Sequence, residues 1–446
     1  MSLLTRLGGE QQPGIETRKA KTIQTVGTSV KSSDMEVRLH NFLVDELKKP
    51  ANQNKDIEML IETLTDQFLI EEGNHLTFEE KKKLKSNISH ELIGYGPISP
   101  LLADPSISEI MVNGPNAVYI EMNGRIEKTP IRFRDNLHVL RVIEKIVAPL
   151  GRRIDESVPM VDARLPDGSR VNAIIPPLAL NGPTLTIRKF SKVPFTINDL
   201  LRMGSLNENM ANFLKAAVES KLNIFISGGT GSGKTSTLNV LSSFIPNHER
   251  VVTIEDAAEL RLSQEHVVSL EAREQNIEGQ GEVSIRALVR NSLRMRPDRI
   301  IIGEVRGSET LDMLQAMNTG HRGSLGTGHA NSPRDLLARL ETMVLMAGFE
   351  LPIRAIRQQI SGALDLIVQQ SRMKDGSRKI TRITEVLGLE GDTIILQDIF
   401  VHNERKNRST GKIEHTFNTV GVLPGCIEEF AIAGHNIKSM FMDEWT

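Results

Sequence analysis

The sequence predicts an α/β domain with a largely parallel sheet and helices on both faces, preceded by a smaller α+β domain and an N-terminal helical segment. Apolar runs that suit buried strands alternate with helical patterns from about residue 206 onward, which is typical of parallel sheets. A glycine-rich turn at 228–233 joins one such strand to the start of a helix. Two hairpin patterns between residues 96 and 190 indicate the α+β domain.

Length and composition limit the classes of protein to which this chain can belong. Its 446 residues are enough for two or three domains, each with its own core. A formal net charge of −2 gives no case for binding nucleic acid or anionic lipid through bulk charge. The single cysteine, Cys426, excludes an internal disulfide and fits a reducing compartment.

No stretch of the sequence has the pattern of a targeting or membrane-spanning segment. The first residues carry too few apolar side chains for a signal-peptide core, and no apolar run approaches the length that spans a bilayer. We therefore expect a cytoplasmic protein whose contact with a membrane is peripheral or is made through a partner.

The N-terminal region divides into a polar tail and a helical segment. Residues 1–34 are polar, and we predict a disordered tail there. Residues 35–95 have helical periodicity, with apolar side chains on one face at Ile57, Leu60, Ile61, Leu64 and Phe68 and in a later helix at Leu84, Ile88 and Leu92. This segment is either a packing appendage of the next domain or a partner-binding module, and both readings stay open.

Residues 96–190 form the predicted α+β domain. The segment Gly94–Pro97 ends the preceding helix. The pair Asn123-Gly124 suits the tight turn of a hairpin. The elements that we predict are hairpin strands at 117–122 and 125–128, a helix at 136–147, a second hairpin with strands at 163–165 and 170–174, and a strand at 184–190.

Residues 206–390 form the predicted α/β domain, which follows a linker at 191–205. Its strands are predicted, with helices between them, at 223–227, 251–255, 299–303 and 324–328. Two further strands are predicted at 380–385 and 393–396. We expect residues 391–446 to form a small C-terminal extension.

The glycine-rich turn fits the pattern G-x-x-x-x-G-K-[ST], with Gly228, Gly233, Lys234 and Thr235 at the defining positions. Glycines let the backbone curl so that several N–H groups point at one anion, and the following helix adds its positive dipole end. Lys234 can then reach the β- and γ-phosphates of ATP, and the Thr235 hydroxyl can bind Mg²⁺. A plain glycine turn is the alternative, which the flanking strand and helix patterns disfavour. The predicted phosphate-binding residues are Gly228, Gly229, Thr230, Gly231, Ser232, Gly233, Lys234, Thr235 and Ser236.

Two acidic stretches follow apolar strands, and hydrolysis of a triphosphate needs such carboxylates. One is Glu255-Asp256 and the other is Glu304. Acids at the ends of parallel strands point into the crevice where ligands of open α/β sheets bind. Gly303 stands where many P-loop ATPases have an aspartate, so we expect Glu255 or Asp256 to serve the metal, often through a bound water. Glu304 would position or deprotonate the attacking water. Either acid alone could also be an ordinary exposed carboxylate.

A Gly/Thr-rich loop at 319–331 contains two histidines, His321 and His329. A lone histidine is more often a surface or core residue, but two that follow the Glu304 strand and its helix are harder to dismiss. They could hydrogen-bond the γ-phosphate or report its presence. Metal ligation is a weaker hypothesis, because no third nitrogen or sulfur ligand stands nearby.

The order of these motifs resembles the type II/type IV secretion ATPase superfamily. The glycine turn is followed by an Asp box at 253–260, a Walker B-like stretch at 302–304 and a His box at 319–331, and this order is far more specific than any one motif. The segments 293–298 and 315–321 are most similar to the branch that powers Tad/Flp pilus assembly, often called CpaF-like. The resemblance covers roughly residues 90 to 370.

This resemblance implies a two-domain protein with a RecA-like P-loop NTPase domain, working as a ring that is usually a homohexamer. The N-terminal domain in this family supplies arginines to the γ-phosphate, and the best match is Arg188, with Arg170 and, less surely, Arg164 as further candidates. Arginine suits the role because its fork of donors neutralises charge on phosphoryl oxygens. An ordinary surface ion pair is the alternative for each. The other catalytic residues implied are Glu304, Glu255, Lys234 and His329.

The His box departs from the pilus-assembly pattern at Gly326 and Gly328, where relatives often have bulkier residues. We expect these glycines to make the strand around Thr327 and His329 more flexible.

The resulting hypothesis is a ring-forming ATPase that uses ATP and Mg²⁺ to drive assembly of a Tad/Flp-type pilus or a related secretion machine. Loss of the γ-phosphate would let two linked domains swing apart. The resemblance implies an inner-membrane platform protein as partner and no direct contact with nucleic acid. One alternative is a nucleic-acid-translocating motor for conjugation or DNA packaging, which the lack of basic excess disfavours. The other is a nucleotide-sensing factor with little turnover, which Glu255 and Glu304 disfavour.

Overall fold

The computed structural model describes residues 26–49, 56–73, 75–122, 124–190, 194–273, 275, 280–406 and 413–441. It divides into two compact units, Met1–Lys189 and Phe190–Thr446. Several predicted segments fall partly outside the described residues. The parts outside are residues 1–25 of the expected tail, 50–55 and 74 of the helical segment, Asn123 of the first hairpin turn, 191–193 of the linker, 274 and 276–279 of the α/β domain, and 407–412 and 442–446 of the expected extension.

The first unit begins with three helices: α1 Val26–Leu47, α2 Ile57–Glu71 and α3 Phe78–Leu92. Asp56 caps α2 by accepting hydrogen bonds from two backbone N–H groups, and Thr77 and Glu80 form a reciprocal capping box at the start of α3. Buried apolar side chains from all three helices form one cluster. Residues 26–34, which we assigned to the polar tail, belong to α1.

The rest of this unit is an antiparallel sheet with two helices. Its elements are α4 Ser99–Ala103, β1 Ile107–Asn113, β2 Val118–Met122, β3 Arg125–Lys128, α5 Asn136–Val147, β4 Met160–Arg164, β5 Arg170–Ile174 and β6 Thr184–Arg188. The six strands follow the order β3-β2-β1-β6-β5-β4. Alternate strand residues face the apolar side of α5 and leave the polar residues on the other face.

The second unit has α helices on both sides of one large sheet. Its elements are α6 Ile197–Arg202, α7 Glu208–Glu219, β7 Ile224–Gly228, α8 Lys234–Ser242, β8 Val251–Glu255, β9 Val267–Glu271, α9 Ile285–Ser292, β10 Arg299–Ile302, α10 Glu309–Asn318, β11 Leu325–Gly328, α11 Pro333–Leu345, α12 Ile353–Ala363, β12 Leu366–Arg372, β13 Arg378–Glu390, β14 Thr393–Lys406, β15 Ile413–Thr419 and α13 Ile427–Ile432.

The strand order of this sheet is β15-β14-β13-β12-β7-β11-β10-β8-β9. The six strands from β12 to β9 run parallel, and β13 to β15 continue the sheet in antiparallel fashion. We predicted an extension from residue 391, but β14 and β15 continue the sheet without a break, because β14 pairs with β13 along most of its length.

The central strand β7 divides the core of the second unit into two layers. Ile224 and Ile226 face the layer of α7 and α8, whereas Phe225 faces the layer of α10 and α11. All five residues of β7 are buried. In the described part of the chain, no helix combines the length and apolarity that a membrane crossing requires. The sheet therefore places the glycine turn at the end of a strand that is fixed on both sides.

Candidate nucleotide site

The glycine turn joins β7 to α8, and its shape depends on two glycines. Gly231 and Gly233 have φ values of 71° and 98°, a region that side chains other than glycine rarely adopt. Gly233 is the residue directly before α8, which begins at Lys234. The turn therefore ends at the positive end of a helix, where backbone N–H groups are available to an anion.

Lys234 and Ser232 bring polar groups to the inside of the turn. The Lys234 side chain is only 7% exposed, and its ammonium donates to the Gly229 carbonyl oxygen at 3.1 Å. Ser232 Oγ is buried and has no hydrogen-bond partner within the described residues. A buried hydroxyl without a partner is costly unless a ligand or water satisfies it. This arrangement fits the phosphates of a nucleotide.

A series of ionisable side chains runs from Lys234 along the carboxyl ends of the parallel strands. The Lys234 ammonium lies 3.3 Å from His329 Nδ1, and His329 Nε2 lies 2.8 Å from Glu304 Oε1. An ammonium can only donate, so Nδ1 accepts and the ring proton is on Nε2, which lies close to Glu304 Oε1 without the geometry of a hydrogen bond. Arg306 then contacts Glu304 Oε2 at 2.7 Å and Asp256 at 3.6 Å. The structure thus brings together four residues named as candidates from the sequence, Lys234, His329, Glu304 and Asp256, and adds Arg306.

Burial and neighbouring charges set the protonation of Glu304 and His329 at neutral pH. Burial tends to raise the pKa of Glu304, but the hydrogen bond and charge of Arg306 outweigh it and hold the pKa below its usual value. Burial and the charge of Lys234 lower the pKa of His329. Glu304 is therefore ionised and His329 is neutral, which suits a carboxylate that orients or deprotonates water.

Glu255, at the end of β8, has a different environment. Its side chain is 3% exposed and accepts hydrogen bonds from the backbone N–H groups of Glu259 at 2.9 Å and Leu260 at 3.1 Å. Burial raises its pKa to about 7, although these hydrogen bonds oppose the shift. A Cβ on Gly303 would lie 2.8 Å from Glu255 Cγ. Glu255 therefore fills the space beside Gly303, which explains why a glycine stands there instead of aspartate.

The two histidines of the His box lie at opposite ends of strand β11. His329 follows the carboxyl end of β11, whereas His321 precedes the amino end of that strand. His321 Nδ1 lies 3.1 Å from the carbonyl oxygen of Pro297, which comes just before the amino end of β10. The hypothesis that both histidines meet the γ-phosphate is therefore wrong for His321, because the strand between them separates them.

Gly326 and Gly328 serve packing rather than mobility. Both are buried in β11, which pairs with β10 on one side and β7 on the other. A Cβ on Gly328 would lie 2.9 Å from the Phe225 ring, and one on Gly326 would lie 3.3 Å from it. We expected flexibility in this strand, but the structure shows that both positions require glycine for steric reasons. The Phe225 ring occupies the space that a side chain at either position would take.

Two residues of the C-terminal half support the turn, and no pattern in the sequence indicates either of them. Gln370 on β12 accepts a hydrogen bond from Thr237 of α8 at 2.9 Å. Arg378 on β13 donates to the carbonyl oxygen of Gly231 at 2.9 Å. Gln370 and Arg378 lie on strands outside every sequence motif. Only the order of the strands in the sheet shows that they are next to the turn.

The predicted arginines belong to the first unit, where they form a cross-strand row. Arg164 pairs in register with Arg170, and Arg170 pairs with Arg188. Arg188 lies opposite Glu109, 3.8 Å from its carboxylate, and its side chain is 59% exposed. Directly opposed residues in antiparallel strands share one face of the sheet. The structure therefore places the three arginines side by side on the polar face.

The donor set fits a magnesium ion that is bound mainly through its substrate. Within the described residues, no cluster of three or more histidine, cysteine or acidic side chains could hold a metal by itself. Mg²⁺ usually takes one or two protein oxygens and completes its shell with phosphates and waters. Thr235 and Glu255 are the oxygen donors that we predicted for this ion, which would neutralise charge on the phosphates.

Comparison with known proteins shows the family to which this chain belongs. A family model described as Type II/IV secretion system protein matches residues 91–410, which extends past residue 370, where we expected the resemblance to end. A putative conjugal transfer protein of Mycobacterium tuberculosis is 36% identical over 307 residues, covering 68% of this chain and 87% of that protein. The type IV secretion system protein VirB11 of Bartonella henselae is 33% identical over 332 residues, covering 64% and 90% of the two chains.

Among solved structures, the chain is similar to the VirB11 ATPase of the Brucella suis type IV secretion system, determined in complex with sulphate. The identity is 30%, and the match covers 64% of this chain and 94% of that chain with a TM-score of 0.36.

Proposed function

Because this chain belongs to the type II/IV secretion system protein family, we propose that it hydrolyses ATP and converts the cycle of binding and hydrolysis into movement of a pilus or secretion machine. The observation that supports the proposal most directly is the series of ionisable side chains that starts in the glycine turn. Lys234, His329 and Glu304 contact one another in sequence, within 3.3 Å at each step. A glycine turn that only connected a strand to a helix would not require an ionised carboxylate linked through a histidine to its lysine.

Each of these residues has a defined part in the proposed reaction. Lys234 exchanges its bonds to Gly229 and His329 for oxygens of the β- and γ-phosphates. Glu304 is ionised, so it orients the attacking water or accepts its proton. His329, released from Lys234, can then report the presence of the γ-phosphate to Glu304 through Nε2. Mg²⁺ held by Thr235 and Glu255 would offset charge on the phosphate oxygens.

The finer assignment rests on the motif resemblance to Tad/Flp pilus assembly ATPases. It comprises a homohexameric ring, an inner-membrane platform protein as partner, and peripheral attachment to that membrane from the cytoplasm. Arg188 and Arg170 would stabilise charge on the γ-phosphate, a role supported by their side-by-side placement on one polar sheet face.

A second candidate function is translocation of nucleic acid during conjugation. The observation that favours it is the similarity to the putative conjugal transfer protein of M. tuberculosis. The formal charge of −2 weighs against a chain that grips a polyanion over many residues. Adding single- or double-stranded DNA to an ATPase assay separates the two candidates, because a several-fold stimulation is expected only of the DNA motor.

The test of the proposed function is ATP hydrolysis by the purified full chain with Mg²⁺. We expect Lys234→Ala to abolish turnover, and Glu304→Gln to slow turnover by at least about 100-fold while ADP binding is retained. A wild-type chain with no turnover, or a Glu304→Gln variant that hydrolyses ATP normally, would favour a nucleotide sensor instead. Thermal melting of each variant serves as the control for folding.

A further inference from the structure

The glycine turn is held from outside by an arginine of a neighbouring strand. Arg378, the first residue of β13, donates from Nε to the Gly231 carbonyl oxygen at 2.9 Å. Its Cδ also lies 3.2 Å from the position that a Cβ on Gly233 would take. Arg378 thus contacts both glycines on which the shape of the turn depends.

The peptide unit between Gly231 and Ser232 transmits this contact to the inside of the turn. A trans peptide is planar, so its C=O and N–H groups point in opposite directions. The Ser232 N–H donates to the Gly229 carbonyl oxygen at 3.3 Å, the same oxygen that accepts from the Lys234 ammonium at 3.1 Å. Arg378 therefore binds the outer end of a peptide whose N–H points toward the Lys234 side.

The direction of this peptide matters for anion binding. Glycine restrains its own backbone little, so without an outside contact the unit beside Gly231 can rotate. Rotation would turn a carbonyl oxygen, with its partial negative charge, toward the phosphates and would break the hydrogen bond from the Ser232 N–H to the Gly229 carbonyl oxygen that shapes the turn. A guanidinium on the carbonyl opposes that rotation, and a hydrogen bond from a charged group is stronger than one from a neutral group.

We propose that Arg378 is a positioning residue for phosphate binding, which preserves the anion-binding shape of the glycine turn by holding the Gly231 carbonyl away from the nucleotide. The proposal rests on the proposed function, because it assumes that the turn binds a nucleotide. Arg378 acts through the backbone, so its loss should weaken nucleotide affinity more than it slows the bound complex.

The test compares three variants of the full chain by titration with Mg²⁺ and fluorescent ADP and by steady-state ATP hydrolysis. For Arg378→Gln we expect about tenfold weaker ADP binding and a KM raised to a similar degree, with kcat changed less. Arg378→Lys should recover most of the affinity, since an ammonium can still donate to the carbonyl. The matched control is Arg382→Gln, on the same strand and likewise exposed, whose partner is Asp398.

The outcomes separate this inference from the proposed function. A wild-type chain that binds no nucleotide overturns both. If wild type binds ADP but Arg378→Gln binds it equally well, or Arg378→Lys is no better than Arg378→Gln, only the positioning role is overturned. An equal loss in Arg382→Gln also overturns it, since that result indicates a general effect of surface charge. Melting curves without nucleotide identify a misfolded variant, in which case Arg378→Lys against wild type decides.

Discussion

At the scale of single residues, the acids of the candidate site differ in protonation because their surroundings differ. Glu304 faces Arg306 and His329, so its pKa is held low. Glu255 is buried, and among the described residues its hydrogen bonds come from backbone N–H groups, so burial raises its pKa to about 7. Two carboxylates with separated pKa values can perform two tasks, one as a water-orienting base and the other as a metal-side group.

The raised pKa of Glu255 predicts a pH dependence of stability. The folded protein keeps this proton up to about pH 7, whereas the unfolded chain releases it near its ordinary value of 4.5. The stabilisation is therefore complete below the lower value and is lost as pH rises through the higher one, amounting to about 3 kcal/mol. Urea unfolding from pH 4.5 to 8 should show this loss in wild type.

The comparison variant is Glu255→Gln, which keeps an oxygen acceptor for the two N–H groups but has no titration. Its free energy of unfolding should fall less between pH 4.5 and 8 than that of wild type. Parallel curves for the two proteins would show that Glu255 titrates near its ordinary value in the folded state.

The sequence could identify most chemical groups of the site but not their partners. Spacing after apolar strands was enough to select Glu255 and Glu304, because parallel strands end at a common edge. The space that Glu255 takes beside Gly303, and the Arg378 contact to the turn, depend on neighbouring strands far away in sequence. His321 was misassigned for the same reason, since the spacing of two histidines does not tell which edge each occupies.

At the scale of elements, β11 illustrates how one aromatic ring can dictate the residues of the next strand. Phe225 of β7 lies opposite Gly326 in the parallel register. Its ring leaves room only for hydrogen at Gly328. We predict that Gly328→Ala lowers the free energy of unfolding by about 1–3 kcal/mol through overpacking, as measured by urea denaturation.

Gly326→Ala is the matched control for this effect, since its Cβ would be 0.4 Å farther from the ring, 3.3 Å against 2.9 Å. It should cost less than Gly328→Ala. Combining Gly328→Ala with Phe225→Leu should recover part of the loss relative to the sum of the single changes. Equal costs at the two glycines, or strict additivity, would show that the ring is not the cause.

In the second unit, strand prediction succeeded for four uninterrupted apolar runs and failed for β12 and β9, where polar residues interrupt the run. The four strands predicted at 223–227, 251–255, 299–303 and 324–328 appear as β7, β8, β10 and β11 with boundaries shifted by one residue at most. We missed β12 because Gln369 and Gln370 interrupt its apolar run, although both are buried. We missed β9 because it is an edge strand with a mixed pattern of burial.

At the scale of the whole molecule, the proposed motor needs the first unit to act on hydrolysis that takes place in the second. Arg188 is the residue that tests this. We predict that Arg188→Ala slows ATP hydrolysis by about 100-fold or more while ADP affinity changes less than about threefold, because the arginine acts on the γ-phosphate. Steady-state kinetics and ADP titration measure the two quantities.

The control is Arg164→Ala at the other end of the same row, where the resemblance is weaker. Equal losses of hydrolysis and ADP affinity in Arg188→Ala would contradict a γ-phosphate role.

Light scattering with and without a non-hydrolysable ATP analogue should show a ring in wild type, and a monomer at high concentration would contradict the ring proposal.

The continuous nine-stranded sheet has a practical consequence for anyone who shortens this chain. A fragment ending at residue 390 would lack β14 and leave the long strand β13 with a row of unsatisfied backbone donors and acceptors. Such an edge is a template for self-association, and β13 also carries the arginine that touches the glycine turn. A soluble fragment suited to biochemistry should therefore retain β15 and the following residues through at least 441, because Phe430 and Phe441 belong to the core of the second unit.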